Sequence, residues 1–166
     1  MRLARLVGMV EVIALMVSAV HAYEGRPTEP PRPDPEPVSR SEVRVRAGLG
    51  IVGDRYFNQP AHRAASVTFF AAESLPAGDP LLTRRNVIVR GIDVDLLARD
   101  RADFSLDTGD GPVRFRAHTA ATPCRWLDTV LAPGTAKALR GLSGARCTPL
   151  DDGTLRVGAA AFTRLT

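Results

Sequence analysis

The chain has 166 residues, 45% of them apolar, and a net charge of +4, which bounds it to one globular domain with room for a real core. Every basic residue except Lys137 is arginine, aromatics make up only 5%, and no basic stripe carries interleaved aromatics, so nucleic-acid binding is disfavoured. Arginine suits planar recognition of phosphate or carboxylate, although GC-rich coding also yields it, and two cysteines exclude a disulfide framework.

Arg2 and Arg5 precede an apolar stretch, Leu6 to Val20, followed by Val20-His21-Ala22. That is the pattern of a secretory signal with a small-residue cleavage site. Glu11 interrupts it, however, and Val10-Glu11-Val12-Ile13-Ala14-Leu15 fits a first strand. The strand reading implies a cytoplasmic protein; export is the alternative if residues 1–22 are a signal. The stretch is too short and too interrupted for a transmembrane helix, and no membrane partner is expected.

Six of the thirteen prolines lie between Pro27 and Pro37, inside a loop of about residues 25–40. No helix or central strand survives that density, so an exposed, extended loop is expected. Ser41 to Arg46 alternates polar and apolar residues, as a half-exposed strand does. Three glycines in Gly48-Leu49-Gly50-Ile51-Val52-Gly53 demand a special turn before Asp54, Arg55 and Tyr56. No Gly-Lys-Ser/Thr follows, so it is not a Walker-type phosphate loop. There Asp54 reads as the cap of a turn with a structural ion pair to Arg55.

Ser66 to Phe70 is β-branched and aromatic, hence a strand, and Ala71 to Leu75 gives a short helical turn. Arg84 to Gly91 reads as a buried strand bracketed by cations. Alternation along it would place Arg84, Asn86 and Arg90 on one face and Arg85 on the other. Asp93 caps a helix that continues through Leu97. Phe104 to Leu106 and Val113 to Ala117 are strands joined by a turn-rich segment.

Pro123 ends that extended run. After it, Cys124, Leu127, Val130 and Leu131 fall at helical spacing until Ala132-Pro133-Gly134. Cys124 is therefore expected at or near a helix N-terminus, where unpaired N–H groups and the helix dipole stabilise a thiolate. A thiolate is both the nucleophile and the soft-metal ligand. Thr135 to Leu139 is a further short helix. Cys147 to Leu150 and Thr154 to Val157 bracket Asp151-Asp152-Gly153, a hairpin signal, and Ala159 to Arg164 is a last strand. Cys147 reads as a small buried apolar residue. Many short strands with a few short helices argue one β-rich α+β domain over residues 1–166, in which closure into a barrel would remove exposed strand edges.

Four segments together resemble the MOSC domain, the C-terminal domain of molybdenum-cofactor sulfurases. They are Gly48 to Tyr56, Arg84 to Asp93, Pro123 to Asp128, and Gly153 to Gly158. The resemblance implies a β-barrel-like fold and one functional cysteine, here Cys124, acting as a molybdenum ligand or as a persulfide carrier. Within the family, the arginine–asparagine strand holds the pterin phosphate, which falls here on Arg84 and Asn86. Arg85 and Arg90 are the further candidates, with Arg84 and Arg90 as a phosphate clamp. The cofactor implied is the molybdenum cofactor (molybdopterin).

Two activities follow as expectations. One is a reductase of N-hydroxylated small molecules that takes electrons from a separate donor protein. The other is a sulfur carrier that passes a persulfide on Cys124 to a partner without redox turnover. A domain that keeps the fold and has lost the cofactor is the third. The larger reductases of the family have an extra N-terminal β-domain that this chain has no room for. His118, six residues before Cys124, is a candidate proton donor whose plain reading is structural. No spacing of His, Cys and Asp suits zinc.

Overall fold

The computed structural model describes residues 7–21 and 33–165. Arg2, Arg5 and the first half of the proline-rich loop lie outside them. The first strand, β1 (Val7–Met16), occupies the stretch that competes with a signal-peptide reading. It is followed by β2 (Ser39–Arg40), β3 (Glu42–Arg46), β4 (Gly50–Ile51), β5 (Val67–Ala71) and β6 (Val87–Arg90). Helix α1 (Val94–Asp100), β7 (Asp103–Asp107) and β8 (Pro112–Ala120) come next. The short helices α2 (Trp126–Val130) and α3 (Thr135–Ala138) precede β9 (Ala145–Pro149), β10 (Gly153–Arg156) and β11 (Gly158–Arg164).

Seven of these strands close a mixed barrel in the order β1-β11-β7-β8-β9-β5-β6, and β6 returns to β1. Among the described strands only β5 and β6 run parallel. Closure satisfies every strand edge within the wall. β2 adds to β1, and a separate small sheet has the order β10-β3-β4.

Alternation explains the two faces of the wall. Val67 and Phe69 of β5 and Val87 and Val89 of β6 point inward, where Phe69, Phe104 and Phe115 pack with ring centroids 4.9–5.6 Å apart. Val94 and Leu97 of α1, and Val43, Val45, Ile51 and Leu155 of the small sheet, join that same core. The outward Phe70 and Ile88 are also fully buried, because Leu127 and Leu139 from the α2–α3 segment cover them. Thus β5 and β6 are apolar on both faces, as a parallel pair covered by helices must be.

Two sequence expectations change. Asp151-Asp152-Gly153 does not close a hairpin: β9 pairs with β8 and β5, while β10 pairs with β3. The two aspartates instead tie neighbouring segments, Asp151 through Arg114 and Asp152 through the Ala47 amide. The strand expected from Arg84 begins only at Val87, for reasons that bear on the site below.

Gly144 enters β9 with φ of +97°, and a Cβ there would lie 2.0 Å from the Phe69 carbonyl oxygen. Gly144→Ala is therefore expected to cost about 3 kcal/mol from strain and overpacking. Urea unfolding measures this; a loss below about 1 kcal/mol would mean that the β5–β9 contact yields easily.

Candidate functional site

Pro123 and the buried Trp126 and Leu127 hold the segment entering α2 against the outer wall, which leaves Cys124 exposed. The Leu127 amide donates to the Cys124 carbonyl at 3.0 Å, and Asp128 binds the Ala136 amide at 2.9 Å, joining α2 to α3. The helix is only five residues long. Its dipole is correspondingly small, so nearby side chains, more than the helix, set the field at the sulfur.

Those side chains are arginines. Cys124 lines a cavity of about 190 Å³ with His21, Arg55, Tyr56, Arg84, Arg85 and Leu127. Arg55, Tyr56, Arg84 and Arg85 also line a second cavity of about 490 Å³, which continues to His62, His118 and Arg146. A volume of this size is ordinary for a small-molecule site. Among the described residues the two linings hold four arginines and no carboxylate.

The floor of the larger cavity is the outer face of the barrel. Thr68 of β5 lies opposite Arg146 of β9, which lies opposite Thr119 of β8, so the three outward side chains line up across adjacent strands. Between β8 and β9 the register shifts at His118. That bulge re-aims the imidazole, whose Nε2 meets Thr148 Oγ1 at 2.9 Å. Burial, followed by the charge of Arg116, lowers the His118 pKa, which favours the neutral ring. Among the described residues the Arg146 guanidinium has no hydrogen-bonded or ion-paired partner.

The loop Gly48–Tyr56 delivers Arg55 and Tyr56. Asp54, buried, accepts from the Ser18 amide at 3.2 Å, the Tyr56 amide at 3.3 Å and Arg55 Nη1 at 3.3 Å. Arg55 then lies over the Tyr56 ring at 4.7 Å, and that ring contacts His21 and His62 at 5.2 and 5.0 Å between centroids.

Arg84 and Arg85 leave the chain in different directions. The 3₁₀ turn Pro80–Thr83 ends with Arg84 in the left-handed region, φ 58°, its amide bonded to Leu81 O. Such a conformation is uncommon for a residue with a side chain. Arg85 Nε donates to Ser143 O at 3.0 Å, and its Nη2 donates to Thr122 O at 3.0 Å and Ser143 Oγ at 3.1 Å. Arg85 therefore anchors the segment that carries Cys124. Burial, followed by the charge of Arg146, brings its pKa down to about 10; among the opposing influences is the charge of Cys124. Two guanidiniums confined together without a carboxylate between them form a site short of negative charge. Arg84, by contrast, is paired: its guanidinium forks onto Asp34.

Three of the sequence expectations need correction. Asn86 is fully buried and spends its carboxamide inside the protein. Its Oδ1 accepts from the Thr68 amide and hydroxyl, both at 3.0 Å, and its Nδ2 donates to Met16 O at 3.1 Å. It supports the site from below and, with no exposed surface, is closed to a ligand. Arg90 is exposed at the far end of β6, opposite Glu11, and lines neither cavity. The proposed Arg84–Arg90 clamp fails because Arg84 belongs to a turn, so strand alternation does not reach it. Both thiols are free, and Cys147 faces the core, as a small buried apolar residue does. Burial pushes its thiol pKa well up.

No family model and no curated protein matches the chain. Solved structures do. The YuaD protein from Bacillus subtilis aligns with TM-score 0.70 at 13% identity, over 98% of this chain and 100% of that one. A hypothetical protein aligns with TM-score 0.62 at 12% identity, over 96% and 70%. YiiM from Escherichia coli aligns with TM-score 0.50 at 14% identity, over 93% and 67%. These likenesses establish a MOSC-like fold. Among the described residues no helix is long and apolar enough to cross a membrane.

Two outcomes are expected. Iodoacetamide will modify one cysteine of the native protein, Cys124, and reach Cys147 only in denaturant; mass mapping checks this, and native labelling of Cys147 would contradict the sealed core. Asn86→Ala will lower stability by about 2 kcal/mol by stranding Thr68 N–H and Met16 C=O, read as a shift in the urea midpoint.

Proposed function

We propose that this protein binds the molybdenum cofactor against Cys124 and reduces N-hydroxylated small molecules with electrons from a separate donor protein. One observation carries the reading: an exposed thiol opens onto a cavity system whose lining, among the described residues, has four arginines and no carboxylate. The residues present fit the group chemically. A thiolate is a suitably soft ligand for molybdenum, and guanidiniums suit a pterin phosphate. Cys124 would be the sulfur ligand. Arg85 and Arg146 would hold the phosphate, and Arg84 would join them only once freed of Asp34.

When bound, the molybdenum centre supplies abstraction of oxygen from an N–O bond. This chain's own residues bind and orient. Arg85 fixes the Cys124 segment through Thr122 and Ser143. Tyr56, held between two histidines and under Arg55, offers a flat apolar wall that excludes water. Neutral His118 and Thr119 supply hydrogen-bonding groups beside the cations. With two cysteines in all, the chain lacks the thiolates for an iron–sulfur cluster, so the donor protein is part of the proposal.

A second reading, a persulfide carrier, is favoured by the lone open thiol. Cys147 is sealed in the core, so no thiol within the chain could discharge a persulfide on Cys124 as an internal disulfide.

Protein expressed with molybdate is expected to carry near-stoichiometric molybdenum and pterin. Cys124→Ser should lose most of it, and Arg85→Ala or Arg146→Ala should retain roughly tenfold less, while Arg44→Ala serves as an unaffected control. Metal analysis with pterin fluorescence reads all four. Metal-free protein with cyanide-labile sulfur on Cys124 supports the carrier; absence of both defeats the two readings together.

A further inference from the structure

The described part of the proline-rich segment, residues 33–40, adds no residue to the barrel core, yet one of its carboxylates reaches the site. Asp34, between Pro33 and Pro35, accepts from Arg84 Nη1 at 2.8 Å on Oδ2 and from Arg84 Nη2 at 3.3 Å on Oδ1. Ser18 Oγ also donates to Asp34 Oδ1, and Arg84 Nη2 donates to Val20 O at 2.8 Å. Burial alone would raise the Asp34 pKa. The hydrogen bonds from Arg84 and Ser18, with the charges of Arg84 and Arg55, outweigh burial and hold the carboxyl below its ordinary range. A forked guanidinium with an added hydroxyl is also the donor set that recognises a phosphate or carboxylate ligand.

Two features distinguish this contact from a tie in the packed interior. First, Arg84 lines both cavities, so a ligand there meets this arginine, while Asp34 grips it from outside both linings. Second, the backbone of Arg84 is placed without Asp34. Its amide is held by Leu81 O at 3.0 Å, and its carbonyl accepts from Arg55 Nη2 at 3.3 Å. Taking the carboxylate away leaves the backbone that directs Arg84 into the site intact.

We propose that Asp34 is a built-in competitor: its carboxylate fills an anion subsite at Arg84, and a phosphate or carboxylate group of a ligand takes that subsite by displacing Asp34. The proposal rests on reading the Cys124 cavities as an anion site, but it does not require molybdenum. A ligand that binds only the undocked form has its apparent affinity lowered by the undocked fraction. The flanking prolines limit the freedom the segment gains on release, which lowers the entropic cost of docking Asp34.

The test titrates inorganic pyrophosphate by calorimetry into protein prepared without molybdate, at constant ionic strength. Asp34→Asn, which keeps the shape and loses the charge, is expected to bind about tenfold more tightly than wild type. Arg84→Ala should lose this gain, alone and combined with Asp34→Asn. Ser18→Ala keeps the carboxylate and removes one of its donors, so it should tighten binding by a smaller factor. It also guards against misreading a folding defect in Asp34→Asn, because its own unfolding midpoint can be compared. Unchanged or weaker binding in Asp34→Asn overturns the proposal, as does no measurable binding in wild type and Asp34→Asn alike. Pyrophosphate binding that follows Asp34 in a protein that never retains molybdenum defeats the reductase and leaves the competitor standing. Full molybdenum retention with no effect of Asp34→Asn does the reverse. In molybdenum-loaded Asp34→Asn, lost pyrophosphate binding assigns the subsite to the cofactor's phosphate, and retained binding assigns it to a substrate anion.

Discussion

A single buried carboxamide fixes the geometry on which the site depends. Asn86 has no exposed surface, so its amide oxygen and nitrogen must find partners inside the protein. It finds them on two other strands, Thr68 of β5 and Met16 of β1, while its own carbonyl accepts from the Met16 amide. Three segments are therefore locked where the barrel meets the cavities. Ser18 lies just beyond Met16, Arg84 and Arg85 just before Asn86, and Thr68 on the cavity floor. A carboxamide satisfied on every side tolerates little movement, and the arginines inherit that rigidity.

Around this anchor the electrostatics are uneven by construction. Four arginines on the strands have carboxylates of their own: Arg114 with Asp151, Arg116 with Asp103, Arg156 with Asp110 and Glu42, Arg164 with Asp100. Exposed pairs of this kind contribute little each. Beside Cys124 the pattern breaks. Arg85 is turned to carbonyls and a hydroxyl, and Arg146 stands half-buried opposite Thr119. Positive charge withheld from internal neutralisation is available for an external anion, whereas the same charge at Arg84 is offset by Asp34.

Local chemistry was legible in the sequence, and long-range partnership was not. Asp93 does cap α1, accepting from the Leu96 amide, and Pro123 does precede the helix that presents the cysteine. The β-rich barrel with a few short helices follows from strand spacing and the wish to hide edges. Asp151-Asp152-Gly153 has the right turn residues, yet which strands flank a turn is decided by distant pairing, and β10 goes to β3. Arg84, Asn86 and Arg90 share parity in the sequence, but a left-handed residue at Arg84 ends the turn before the strand starts, so parity carries no meaning there. Arg146 was within reach: alternation with an inward Cys147 turns it outward. Tyr56, His21 and His62 come from loops, where periodicity says nothing about direction.

The seam between β1 and β11 has a kinetic implication. Val7 pairs with Thr163 and Val12 with Gly158, so nearly the whole chain separates the two staves that seal the cylinder. Loop closure of that length must precede any gain from the pairing, which places such topologies among slow folders. During synthesis β1 is made well before β11, so the β1 edge that β11 covers stays unpaired until that partner emerges. Yield in a foreign host should thus track chaperone supply and growth temperature more closely than equilibrium stability.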